Sequence, residues 1–230
     1  MYPTPINIPE QTVGDCTIKH EWENGRKIHR LISQQYGLWM SDNVLEIKQM
    51  KEAVEVTKAK GKGLVGGLGL GVVIEFLGER PGVTQIDVVD NSQDTVDLVL
   101  PYLKWRAKCN IIIEDIFKFV QELKTWDYDF AILDTWQGIG KEVWLLQVMP
   151  LRRMLANKFG KVNLYNWTED TMFDEMIELL TTRKPYWILD ELPMPMTKKD
   201  AKWFLQNVGL PEWEKKYGDK VYDKYKTKAN

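Results

Sequence analysis

Residues 16–33 read as two strands of mixed apolar and polar positions around Glu23-Asn24-Gly25-Arg26. Asn-Gly is the pair best able to take the two positive φ angles of a tight turn, so this stretch predicts a β-hairpin. Ser41-Asp42-Asn43 then supplies capping oxygens, and Val44, Ile47, Met50 and Val54 recur at helical spacing until Gly61 and Gly63 stop the pattern. That segment predicts an amphipathic helix. From Gly63 onward short apolar runs alternate with helical stretches: 64–65, 86–89, 110–113 and 130–133 read as strands, with helices over 72–77, 93–103 and 116–123. Such alternation builds a parallel sheet covered by helices, and the expected fold class is α/β with three layers behind the hairpin. Further on, 142–158 reads as a helix despite Pro150, 161–165 as a strand, 171–180 as a helix and 185–189 as one more strand. Thr197-Lys198-Lys199-Asp200 has the form of a capping box ahead of a last helix that Gly209 and Pro211 end. The expected organisation is a hairpin extension over 1–36, an α/β domain over 37–190 and a helical tail over 191–230.

Composition narrows the partners. A length of 230 residues supports one sizeable core with a small appendage. With 31 basic and 33 acidic residues the net charge is -2, which gives no field to draw in a polyanion, so nucleic acid is not expected as a partner. The two cysteines, Cys16 and Cys109, lie far apart, and neither a disulfide framework nor a metal site is indicated. Residues 1–9 hold three prolines and no apolar run behind a basic start, so no secretory signal is expected. No stretch reaches the roughly 20 apolar residues of a spanning helix. The expectation is a cytoplasmic protein without a membrane segment; a homodimer is compatible with it.

The candidate chemistry begins at Val65-Gly66-Gly67-Leu68-Gly69-Leu70-Gly71, which joins a strand to a helix. Bends of this kind sit at the carboxyl edge of a parallel sheet, where ligands bind, and glycine lets a ligand approach the backbone closely. The dinucleotide spacing G-x-G-x-x-G fails in both frames, because its third glycine falls on Val72 or Ile74. A phosphate-cradling loop fails as well, since Val72-Val73-Ile74 offers neither cation nor hydroxyl after Gly71. Asp90 ends the second strand of the unit, where an acceptor-only carboxylate can take hydrogen bonds from both hydroxyls of a ribose, with Asn91 beside it. Asp115 and Asp134 end the third and fourth strands, so three carboxylates line one sheet edge. Their repulsion is eased by a sulfonium or an ammonium group rather than a phosphate.

On Gly63 to Gly71, Pro81 to Asp90, Glu114-Asp115-Ile116-Phe117 and Tyr128 to Thr135, the chain resembles the class I S-adenosylmethionine-dependent methyltransferases. Within them it is most similar to the spermidine synthase branch, over about residues 14–140. The resemblance implies a Rossmann-like sandwich and a ligand that is S-adenosylmethionine or its decarboxylated form. It implies that Gly66, Gly67, Gly69 and Gly71 face that ligand, that Asp90 holds the ribose, that Asp115 and Ile116 contact the adenine, and that Asp134 orients and deprotonates an attacking amine. The activity so implied is methyl or aminopropyl transfer to a small-molecule amine. Trp39, Met40, Ser41 and Asp42 fall where a lid would begin, with Asp42, Trp136 and Gln137 expected to meet the acceptor. Two departures stand out: Gln137 replaces the second acid of the aminopropyltransferase signature, and residues 44–50 lack the Tyr-His/Gln-Glu of those enzymes. A protein of the same fold that binds the ligand without turning it over is the alternative. His20 and His29, in the hairpin, are expected to be structural or exposed.

Overall fold

The computed structural model describes residues 4–140 and 143–182; the strand expected at 185–189 and the helix after 197 lie outside them. Asn24 and Gly25 take φ angles of 51° and 75°, and β2 (Cys16–Glu23) folds back on β3 (Arg26–Ser33) in antiparallel register, as the turn predicts. The hairpin is the middle of a larger sheet. β1 (Gln11–Val13) and β4 (Gly37–Ser41) flank it in the order β1-β2-β3-β4, so this sheet runs on past residue 36. The flanking strands are short, and neither carries enough alternation to be read alone.

The second sheet has five parallel strands in the order β7-β6-β5-β8-β9, formed by β5 (Gly61–Gly66), β6 (Val83–Asp90), β7 (Cys109–Ile113), β8 (Phe130–Leu133) and β9 (Leu164–Asn166). Helices α1 (Val44–Val56), α2 (Val72–Gly78), α3 (Gln93–Val99) and α4 (Ile116–Glu122) alternate with these strands. The fold is therefore the expected Rossmann-like α/β sandwich with an antiparallel N-terminal sheet. β5 is longer than the two-residue apolar run predicts, because Gly63 leaves the space that the Phe130 ring fills: a Cβ there would stand 2.1 Å from the ring. The predicted helix over 93–103 is shorter too, ending at Val99 and passing into a 3-10 turn at Pro101.

By compactness the described chain forms two units. The first holds residues 4–137 and 153–167, with both sheets and the main core. The second holds residues 138–140, 143–152 and 168–182, including α6 (Glu169–Thr182), whose Glu169 pairs with Arg152. The helix expected through Pro150 survives because it widens first. Met149 N–H donates to Trp144 O, five residues back, in the π-helical turn Trp144–Val148 that precedes α5 (Met149–Phe159).

Several polar groups are built into the first unit. Asp87, on β6, is buried and accepts from Tyr128 Oη at 2.9 Å, Gln85 Nε2 at 2.8 Å and Asn110 Nδ2 at 3.2 Å, with Lys62 Nζ at 2.8 Å. Burial pushes its carboxyl up, but these hydrogen bonds outweigh it and hold it below its ordinary value of 3.8. A carboxyl lowered in the folded state stabilises above its unfolded pKa and loses that contribution as the pH falls. Asp87→Ala, which strands Tyr128 and Lys62, is expected to cost about 2 kcal/mol at neutral pH. The difference from wild type, read from urea midpoints, should shrink as the pH is taken below 4.

Candidate functional site

Strand register assembles the candidate site. Gly66 of β5 lies opposite Val89 of β6 and Leu133 of β8, so the next residues, Gly67, Asp90 and Asp134, come out side by side at the carboxyl edge. Asp90 pairs with Ile113 at the end of β7, which brings Asp115 to the same edge. This is also where the chain, having added β6 and β7 on one side of β5, crosses to β8 on the other, the place where open parallel sheets leave a crevice.

Gly67 passes this point with φ 85°, and a Cβ on it would stand 2.2 Å from the Asp134 carbonyl oxygen. Any side chain here would push the bend away from β8. Gly66 closes β5, and Gly71 is the N-cap of α2. The Asp90 carboxylate clamps the bend from the other side: Oδ2 accepts from Leu68 N at 2.8 Å and Oδ1 from Ser92 N at 2.8 Å. Burial raises its pKa, partly offset by these backbone donors. With the Gly69 N–H on the carboxylate as well, backbone donors take all but one of its roughly four lone-pair sites.

Asp134 is half-buried, and its carboxyl has no hydrogen-bond partner among the described residues. Burial, with the charge of Glu46 adding to it, pushes this group up to about 8. Glu46 stands in the first turn of α1, where it accepts from Ser41 N at 3.1 Å and Ser41 Oγ at 3.4 Å. Burial raises it to about 7, Ser41 lowers it and Asp42 raises it. Sequence reasoning passes over Glu46, because an acid in a first helical turn ordinarily serves the helix itself. The signal available was Ser41 five residues earlier, at the end of the preceding strand.

The remaining expected site residues are placed as follows. Asp115 is the N-cap of α4, with Oδ1 accepting from Phe117 N and Lys118 N; it is exposed, and Ile116 behind it is buried. Asn91 is exposed. Asp42 corrects the expectation of an acceptor contact: it is fully buried, and its oxygens accept from His29 N at 2.6 Å and His29 Nδ1 at 2.9 Å, leaving Asn43 to cap α1. His29, buried edge-on to His20 at 4.8 Å, is structural as expected. Trp136 is buried, and its indole N–H has no partner among the described residues. Gln137 donates to Tyr36 O at 3.0 Å and Leu38 O at 2.8 Å, so its amide ties the turn before β4 to the end of β8.

No protein-family model matches the sequence, and no curated protein matches it. Among solved structures, the chain is similar to the spermidine synthase of Thermotoga maritima, with 12% identity over 66% of this chain and 55% of that one, at a TM-score of 0.42. A candidate SAM-dependent methyltransferase from Streptococcus mutans gives 17%, 65%, 40% and 0.41. The precorrin 8w decarboxylase of Methanobacterium thermoautotrophicum gives 13%, 53%, 60% and 0.38. The chain thus spans about half the length of these proteins.

A carboxyl raised in the folded state contributes stability that is complete below its unfolded pKa and is lost as the pH rises through the folded one. For Asp134 that window runs from 3.8 to about 8. Asp134→Asn, which removes the charge, is therefore expected to stabilise the protein at pH 8 by about 2 kcal/mol, allowing for solvent screening. At pH 4 the gain should vanish, as thermal unfolding at the two pH values will show. Asp42→Ala strands a buried His29 and is expected to cost about 3 kcal/mol in the same measurement.

Proposed function

We propose that the chain is a group transferase that binds an adenosyl-sulfonium ligand and moves a methyl or aminopropyl group to a small-molecule amine. The observation that carries this reading is the register that sets a ribose-type acceptor, Asp90, and an unpartnered carboxyl of raised pKa, Asp134, on either side of one glycine bend. The donor set fits such a ligand: the edge is rich in carboxylates, which favour a sulfonium and disfavour a phosphate. Asp90 would hold a ribose hydroxyl through the lone pair that its backbone donors leave, and Asp115 with Ile116 would border the adenine. The ligand would supply a carbon made electrophilic by a positively charged sulfur.

The amine can attack only after losing its proton, and Asp134 would take it. A carboxyl with a pKa near 8 is a far better base than an ordinary aspartate, since general-base efficiency is greatest when the pKa lies near the working pH. Glu46, also raised, would share the positive charge of the incoming ammonium. Most of the acceleration would come from holding the amine in line with the carbon beside sulfur.

A second reading, binding without turnover, is favoured by Gln137, whose amide is spent on the Tyr36 and Leu38 carbonyls where the resembling enzymes carry a second acid. Isothermal titration with S-adenosylmethionine and a transfer assay with both donors against a panel of amines separate the two. Under the transferase reading Asp134→Asn lowers the rate by roughly 100-fold or more while ligand affinity stays within a few fold. The wild-type rate should climb with an apparent pKa near 8. Tight binding with no product from any amine supports the second reading, and no binding of any adenosyl compound removes both.

A further inference from the structure

The glycine bend has given away its hydrogen-bond donors. Gly67 N–H donates to Val89 O at 2.8 Å, Gly71 N–H to Leu68 O at 2.8 Å and Leu68 N–H to Asp90 Oδ2 at 2.8 Å. The Gly69 N–H also lies on the Asp90 carboxylate. The last of them, Leu70 N–H, donates to the thioether of Met40, with 3.3 Å between nitrogen and sulfur. Met40 reaches it from β4 by lying over Gly69, where a Cβ would stand 2.4 Å from the sulfur, and its side chain packs partly buried against the core.

These contacts are unequal. Backbone carbonyls and a carboxylate are strong acceptors, whereas a thioether is a weak one. An anionic end of a ligand could therefore win only one donor from the bend, that of Leu70, and only by driving Met40 off Gly69 and out of its packing. The surroundings add a penalty, since Asp90, Asp134 and Glu46 all present carboxyls at this edge, and α2 behind the bend is too short to add much of a dipole. A neutral or cationic end meets none of these obstacles.

Resting on the adenosyl reading above, we infer that Met40 is a specificity-determining residue, whose sulfur caps the Leu70 N–H and makes the bend discriminate against adenosyl ligands that carry a carboxylate. It deepens that reading by assigning the choice between ligand ends to one side chain of the N-terminal sheet rather than to the bend itself.

Two ligands isolate the effect: 5′-methylthioadenosine and S-adenosylhomocysteine share the adenosyl thioether and differ in the amino-acid end. Titration calorimetry on the full chain gives the ratio of their dissociation constants. In Met40→Ala that ratio is expected to move at least fivefold toward S-adenosylhomocysteine, because the freed donor takes the carboxylate. A ratio within twofold of wild type overturns the inference. Amide hydrogen exchange at Leu70 in the ligand-free protein tests the cap without any ligand. It should be at least fivefold faster in Met40→Leu, which keeps the volume and loses the acceptor, and unchanged exchange also overturns the inference. If neither compound binds wild type or variant, the adenosyl reading fails, and the Leu70 exchange rate still decides whether Met40 caps the bend.

Discussion

The carboxylate of Asp90 is the constraint on which the carboxyl edge depends. Its two oxygens hold Leu68 N–H of the bend and Ser92 N–H ahead of α3, so one side chain fixes where β5 turns and where the helix after β6 begins. Two backbone donors lost from this half-buried carboxylate would each leave an orphaned group. The bend is thereby pressed against β8 closely enough that Gly67 meets the Asp134 carbonyl. A candidate ligand edge is defined by the same interactions that close the sheet.

Electrostatics at this edge work against stability. Asp134 and Glu46 are both raised by burial and by neighbouring charge, and Asp134 has no described partner to compensate. Two other buried acids of the first unit are treated differently: Asp87 has four donors, and Asp42 has both oxygens on His29. An acid left without a hydrogen-bond partner at the sheet edge, in a chain that engages Asp87 and Asp42 fully, is the pattern that functional sites show.

The N-terminal sheet is tied together at its exit and joined to that edge by side chains. The buried Asp42–His29 pair ends β4 and hands the chain to α1, Ser41 holds Glu46, and Gln137 takes the carbonyls of Tyr36 and Leu38. Met40 is the side chain that this anchoring delivers to the bend. A hairpin extension thus contributes directly to the surroundings of the glycine residues.

The sequence by itself determined the element types, the α/β class, the Asn-Gly turn and the residues at the strand ends, because these follow from local periodicity and from glycine and asparagine backbone preferences. It also showed that the bend fails both phosphate-binding spacings. Strand lengths, β1 and β4, and the partners of the acids were decided only by tertiary structure. Gly63 joins β5 because Phe130, far along the chain, fills the space beside it. Asp42 looks like a cap or an acceptor contact until His29 lies against it, and Glu46 looks like a helix-end acid until its charge is seen to bear on Asp134. Which atoms of an acid are spent and which are left over depends on contacts between distant segments, and local pattern carries no record of them.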